Sequence, residues 1–185
     1  VEVRSERNFF SFLGLPRKLN LDVADLEQRY RALSRQFHPD YFYNATPAER
    51  RASLETTSYL NDAYRTLKHP VARIEYLLKL EGMSTAATAA PPSLLEEVFA
   101  LNEELDEIRD ARASGTAAQE LNARLERARK PIEDKRDEHE QDLKDLSAKW
   151  DRTGDRTVLE ALRDRILERN YINNLLAGIE KELSA

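Results

Sequence analysis

Apolar residues recur at spacings of three and four along most of this chain, and each such stretch is bracketed by helix start and stop signals. No other feature narrows the fold as far, because a half-buried strand needs alternation at spacing two. From 94 to 108 the run Leu94, Val98, Leu101, Leu105, Ile108 steps by 4, 3, 4 and 3. From 26 to 37 the run Leu26, Tyr30, Leu33, Phe37 steps by 4, 3 and 4. Five glycines in 185 residues are few for the turns of a large sheet. The expected fold class is all-α.

The punctuation sets the elements. Asn8 is an N-cap for a short apolar helix that Gly14 and Pro16 close. A second helix is expected from about Asp22 to Phe37. Thr46-Pro47-Ala48-Glu49 is a capping box with proline at the first helical position, opening a helix to about Lys68 that carries Leu54, Leu60, Ala63, Tyr64 and Leu67. His69-Pro70 interrupts it, and a short fourth helix stops at Gly82. The stretch "GMSTAATAAPP" (82–92) has neither charge nor periodicity and reads as a boundary. The expected units are therefore 1–82, a linker at 83–92, and 93–185. Ser93…Glu96 and Thr116…Gln119 have capping-box form, and Gly115 and Gly154 mark joints between three helices at about 94–113, 117–150 and 156–183. Short joints make consecutive helices antiparallel neighbours, which predicts a three-helix bundle. Pro131 should kink the middle helix or break it near Lys130. Gly178 costs the last helix about 1 kcal/mol relative to Ala. Trp150, at the end of a helical stripe, is expected in the core.

Charge divides unevenly. Residues 1–82 hold 13 Lys/Arg and 11 Asp/Glu, whereas residues 83–185 hold 16 and 23. The halves should meet different partners, and neither is basic enough for nucleic acid. There is no cysteine, hence no disulfide and no thiolate ligand or nucleophile. No apolar run approaches the length of a membrane span, so no membrane role is expected. The chain opens on Val1 rather than Met, which leaves open whether a leader or further N-terminal piece precedes it.

His38, Pro39 and Asp40 stand between the second and third helices, at the tip of a helical hairpin. Pro39 biases His38 away from helical geometry and fixes the helix end there. Catalysis would need a nucleophile held by a base, and a metal would need further ligands at loop or helical spacing; neither is visible. His69 and His139 lie in separate helical contexts, His139 reading as structural or solvated. A plain helix-ending turn remains open. The helix before the tip carries Gln28, Arg31 and Arg35 opposite its apolar face, with Arg29 on a flank. An exposed basic face leading to this tip would suit an acidic partner surface.

A second surface follows from helical phase. On the helix from 94, Leu95 and Phe99 fall roughly 80–120° from the core stripe. Glu96, Glu103 and Glu107 lie further round, giving an outward apolar pair edged by carboxylates. On the last helix Val158, Leu162, Ile166, Ile172, Leu176 and Leu183 form the stripe; Tyr171 points the other way, with Leu175 near it. If these helices are neighbours, Leu95, Phe99 and Tyr171 form one patch, each side chain worth about 1.5–3 kcal/mol when a partner covers it. A wider-than-usual core stripe is the alternative. The charged run "EDKRDEHEQDLKD" (133–145) reads as a solvated helix face laced by i,i+4 pairs.

Residues 8–68, with "FFSFLGL", the amphipathic helix ending in "QFHPD", and "LNDAYRTL", resemble a J-domain. The segment "LNDAYRTLKHPVARIEYLLKLEG" (60–82), the "LNEELDEI" stretch at 101–108 and the order of the two domains resemble the HscB family of co-chaperones. That resemblance implies a J-domain hairpin followed by a client-binding three-helix bundle. It implies two partners: an HscA/DnaK-type chaperone whose ATPase is stimulated, and an IscU-type iron–sulfur scaffold protein delivered to it. His38, Pro39, Asp40, Arg29, Arg31 and Arg35 would contact the chaperone. Leu95, Glu96, Phe99, Glu103, Glu107 and Tyr171 would occupy the scaffold-binding face. Two positions depart from the family pattern: Glu96 replaces a bulky apolar residue and Ala100 an acidic one. The resemblance further implies a monomer or weak dimer without cofactor, metal or catalysis of its own. Its compartment would be the bacterial cytoplasm, or the mitochondrial matrix for a eukaryotic chain.

Overall fold

A computed structural model describes residues 7–86 and 89–185. Among them every regular element is helical: α1 (Phe9–Phe12), α2 (Val23–Phe37), α3 (Pro47–Lys68), α4 (Pro70–Leu80), α5 (Leu95–Ala113), α6 (Ala118–Thr153) and α7 (Arg156–Leu183), with 3-10 turns at Pro39–Phe42 and Pro92–Leu94. The chain separates into two compact units. One runs to Met83 and includes Trp150–Gly154; the other comprises Ser84–Lys149 and Asp155–Ala185. Residues 87 and 88 of the expected linker lie outside the described residues.

In the N-terminal unit the caps act as their residue types dictate. The Asn8 side chain accepts the Ser11 N–H and the Ser11 hydroxyl returns a bond to Asn8. Asp22 caps α2, and Thr46 and Glu49 exchange bonds at the start of α3. Helices α2 and α3 run antiparallel: Tyr30 stacks on Tyr64 and its hydroxyl reaches Asn61, while Phe37 at the end of α2 meets Ser53 and Thr57 early in α3. Phe10, Leu13, Leu26, Leu60, Ala63, Leu67, Leu77 and Leu78 are almost fully buried. Leu54, expected on the apolar face of α3, is instead exposed. Ser53 takes the inward position beside it, because the end of α2 there presents a carbonyl rather than an apolar surface.

One buried cation organises the loop between α1 and α2. Arg73 donates to the carbonyls of Leu67 (2.8 Å) and Leu19 (2.6 Å), while Asp151 accepts the N–H groups of Leu19 and Asn20, both at 2.8 Å. Burial pulls the Arg73 guanidinium below its ordinary range, and the Asp151 charge opposes that shift. The neighbouring Trp150 is only half-buried, contrary to the expected core position.

The C-terminal unit is a three-helix bundle. Leu94, Val98, Leu101, Leu105 and Ile108 pack with Leu121, Leu125 and Ile132 of α6 and with Ile172 and Ile179 of α7. Ion pairs cross all three seams: Arg124–Glu104 and Lys135–Glu97 join α6 to α5, Arg109 and Arg112 join α5 to Glu182 of α7, and Arg165–Asp142 joins α7 to α6. Helix α6 runs unbroken through Pro131, so the expected break does not occur. Tertiary packing of the flanking Ala128 and Ile132 holds it. At the start of the charged run, Glu133 and Asp134 take i,i+4 partners from the turn before it, Arg129 and Lys130, while inside the run Arg136 pairs with its neighbour Asp137.

The expected Ser93…Glu96 capping box does not form. Leu94 stands at the N-cap position of α5 with no side-chain cap bond, and the Ser93 hydroxyl donates to Glu168 of α7 at 2.7 Å. Glu168 also accepts from Arg165 at 2.7 Å and makes a very close contact with His139 Nε2, whose Nδ1 faces the Lys135 carbonyl at 2.8 Å. A solvated His139 is thereby excluded, since the ring is fully buried. Burial raises the Glu168 carboxyl, but the bonds from Ser93, Arg165 and His139 together hold it below the ordinary carboxylate range.

Candidate functional site

The first site is the tip of the α2–α3 hairpin. Proline at 39 forces His38 into extended backbone (φ −62°, ψ 134°), which ends α2. A helix end leaves carbonyls without intrahelical donors. Here the Phe37 carbonyl accepts two hydroxyls from α3, Ser53 at 2.8 Å and Thr57 at 3.0 Å. Both residues are hydroxylic at i and i+4 of α3, so one face of that helix clamps the last turn of α2. Beyond the clamp, His38 Nδ1 accepts the Asp40 N–H at 3.2 Å and the His38 carbonyl accepts the Tyr41 N–H at 3.1 Å. With Nδ1 occupied, Nε2 is the ring nitrogen left to a partner. The His38 and Asp40 side chains are 48% and 88% exposed. Together with Ser34, Arg35 and Tyr41 they line a shallow open groove.

The three arginines differ in role. Arg35 is exposed and has no ion-pair partner among the described residues, and Arg31 is exposed while paired with Glu27 at 2.5 Å. Arg29 is committed to the fold. It pairs with Asp25 at 2.9 Å and donates to the Gly14 carbonyl at 2.9 Å. Gly14 itself has φ +65°, which favours glycine, and a Cβ there would lie 3.0 Å from the Arg29 guanidinium, so a side chain would also have to push that group aside. The tip also presents Tyr41 (73% exposed) and Tyr43 (79% exposed), which periodicity did not single out because a single 3-10 turn and its C-cap are too short to carry a repeat.

The second site lies on the bundle. Leu95 and Phe99 of α5 project outward, 41% and 68% exposed, and Glu96, Glu103 and Glu107 are exposed beyond them. Glu107 is tied to Arg124 at 2.8 Å. Tyr171 departs from the outward position expected of it: it is half-buried and packs against the bundle core with Leu175 and Leu176. The α7 stripe is wider than a strict heptad face and takes in Tyr171. The exposed apolar pair of this site is therefore Leu95 and Phe99. Among the described residues no group of three or more acidic or histidine side chains could hold a metal ion, and no helix is long and apolar enough to cross a membrane.

A helical hairpin tipped by an exposed His-Pro-Asp turn, followed in the same chain by a three-helix bundle, is the architecture of a J-domain co-chaperone. No family model matches the chain. Two solved structures are similar over nearly its whole length. The chaperone HscB from Vibrio cholerae is 29% identical with a TM-score of 0.63, covering 95% of this chain and 97% of that one. The human co-chaperone protein HscB is 25% identical with a TM-score of 0.67, covering 96% and 83%. The chain thus shares the fold of HscB co-chaperones over nearly its whole length, which bears out the resemblance read from the sequence.

Proposed function

We propose that this protein stimulates ATP hydrolysis by an HscA/DnaK-type chaperone and delivers an IscU-type scaffold protein to it, in support of iron–sulfur cluster assembly. The observation that carries this reading is the exposed His38-Pro39-Asp40 tip, held by the Ser53–Thr57 clamp, in a chain whose separate bundle exposes Leu95 and Phe99. The tip and the Arg31–Arg35 face would engage an acidic surface of the chaperone, with Arg29 supporting the loop behind them. Leu95 and Phe99 would seat the scaffold, and Glu96, Glu103 and Glu107 would orient it through its basic groups. The chemistry stays in the partner. This chain acts by holding two proteins at high local concentration and by favouring the chaperone state that hydrolyses ATP.

A steady-state ATPase assay of the chaperone, with this protein and with or without scaffold, tests both ends together. Stimulation that scaffold augments is expected. No stimulation at any concentration would remove the J-domain role. A different client is the second reading, favoured by Glu96 and Ala100, which stand where apolar and acidic residues are usual in the family. Failure to capture the scaffold in a pull-down, with ATPase stimulation intact, would select it.

A further inference from the structure

The bundle carries a groove on the other flank of α5. Its floor is Leu101, Ala128, Pro131 and Ile132, and its volume is about 400 Å³. Ala100 forms the lip, on the opposite side of the exposed carboxylate crest from Phe99. Most charges on the walls are already matched: Glu97 pairs with Lys135 at 3.0 Å, and Arg124 pairs at 2.8 Å with Glu104 and also with Glu107, which lies outside the lining. Arg127 is the exception. It lines the groove, is exposed, and has no ion-pair partner among the described residues. Pro131 adds a second polar function, because it has no N–H to give to the carbonyl four residues earlier, that of Arg127. The recess is thus lined by a residue whose guanidinium has no ion-pair partner among the described residues and whose carbonyl lacks its helical donor.

We propose that this groove is a second anchor point for the client protein. It takes an apolar side chain of the client whose neighbouring residue is acidic, the carboxylate pairing with Arg127 and an adjacent client N–H meeting the Arg127 carbonyl. The inference rests on the client-binding role proposed above for Leu95 and Phe99. It extends the footprint from those residues, over the carboxylates of the α5 crest, to α6. Ala100 makes the extension possible, since its methyl group leaves the recess open, whereas an acidic side chain there would cover the lip and supply Arg127 with an internal partner. Charge therefore alternates across the surface, and the client is expected to carry basic groups over Glu96 and Glu103 and an acidic one at Arg127.

Titration calorimetry with the IscU-type scaffold tests this on the full-length chain, using wild type, Leu95→Ala/Phe99→Ala, Arg127→Glu and Ala100→Trp. Arg127→Glu and Ala100→Trp are each expected to weaken binding about tenfold or more, as for well-seated anchors, with ATPase stimulation in the absence of scaffold unchanged. Arg127→Glu lies on the surface and keeps the test valid should the bulkier Ala100→Trp fail to fold, which thermal melting reports. If Leu95→Ala/Phe99→Ala weakens binding while Arg127→Glu and a folded Ala100→Trp bind like wild type, the groove proposal is overturned and the client reading stands. If the wild-type chain does not bind scaffold, both fall together.

Discussion

Glu168 shows how much a single side chain can hold. It is 8% exposed and accepts from Ser93, Arg165 and His139, so it ties the start of α5 and the middle of α6 to α7. Its carboxyl lies lower in the folded chain than in the unfolded one. The stabilisation it gives is therefore complete above the ordinary carboxylate range and is lost as pH falls through the depressed folded value. Glu168→Gln is expected to cost about 3 kcal/mol near neutrality, because Arg165 loses a buried counter-charge and Ser93 and His139 lose their carboxylate partner. It should also flatten the acid limb of the stability–pH curve, as read by urea denaturation between pH 3 and about pH 7. An unchanged acid limb would mean that the carboxylate contributes nothing there. Asp151 likewise ties separate segments together through its hydrogen bonds: Asp151→Ala leaves the N–H groups of Leu19 and Asn20 without acceptors and Arg73 without its nearby anion, for an expected loss of about 1–3 kcal/mol.

Helix ends and one helix interior decide behaviour at the next scale. The Phe37 carbonyl links the hairpin tip to α3 through two hydroxyls. Ser53→Ala with Thr57→Val keeps the shape and removes both donors, with an expected stability loss of about 1–3 kcal/mol. Chaperone ATPase stimulation should fall as well, although His38, Pro39 and Asp40 are untouched. Retained stimulation in that variant would show that the tip needs no clamp. Pro131 is an exposed proline inside a continuous helix. Replacing it with Ala restores an N–H to the Arg127 carbonyl and should raise the melting temperature, by up to about 3 kcal/mol of stability. Most of these elements were legible in the sequence, since cap residues and three–four periodicity are local. Thr46-Pro47-Ala48-Glu49 forms its capping box because all its parts lie within four residues. Ser93…Glu96 has the same local form and does not, because a carboxylate 75 residues away competes for the serine hydroxyl.

For the whole molecule, the two proposed docking surfaces lie in different compact units, and their contributions should separate. His38→Gln should abolish ATPase stimulation and leave scaffold affinity at the wild-type value. Leu95→Ala with Phe99→Ala should weaken scaffold binding about tenfold or more while basal stimulation persists, because both side chains already face solvent and their truncation leaves little cavity. A melting temperature close to wild type in the second variant is part of the expectation; a large drop would place those residues in the core. The unequal charge of the two halves adds a check, since raising ionic strength should weaken the chaperone and scaffold interactions to different degrees.

Local pattern alone determined that this chain is helical, where the helices begin and end to within a few residues, that His-Pro-Asp stands at a helix end, and that Leu95 and Phe99 fall outside the α5 stripe. Those properties depend on backbone geometry repeating every few residues. Tertiary structure decided what depends on distant neighbours. It turned Tyr171 partly inward and left Leu54 outside, committed Arg29 to the Gly14 loop, and buried His139 against Glu168. It also opened the recess beside Arg127. In each case the deciding atom comes from another helix or loop, and helical phase carries no record of which residue that will be.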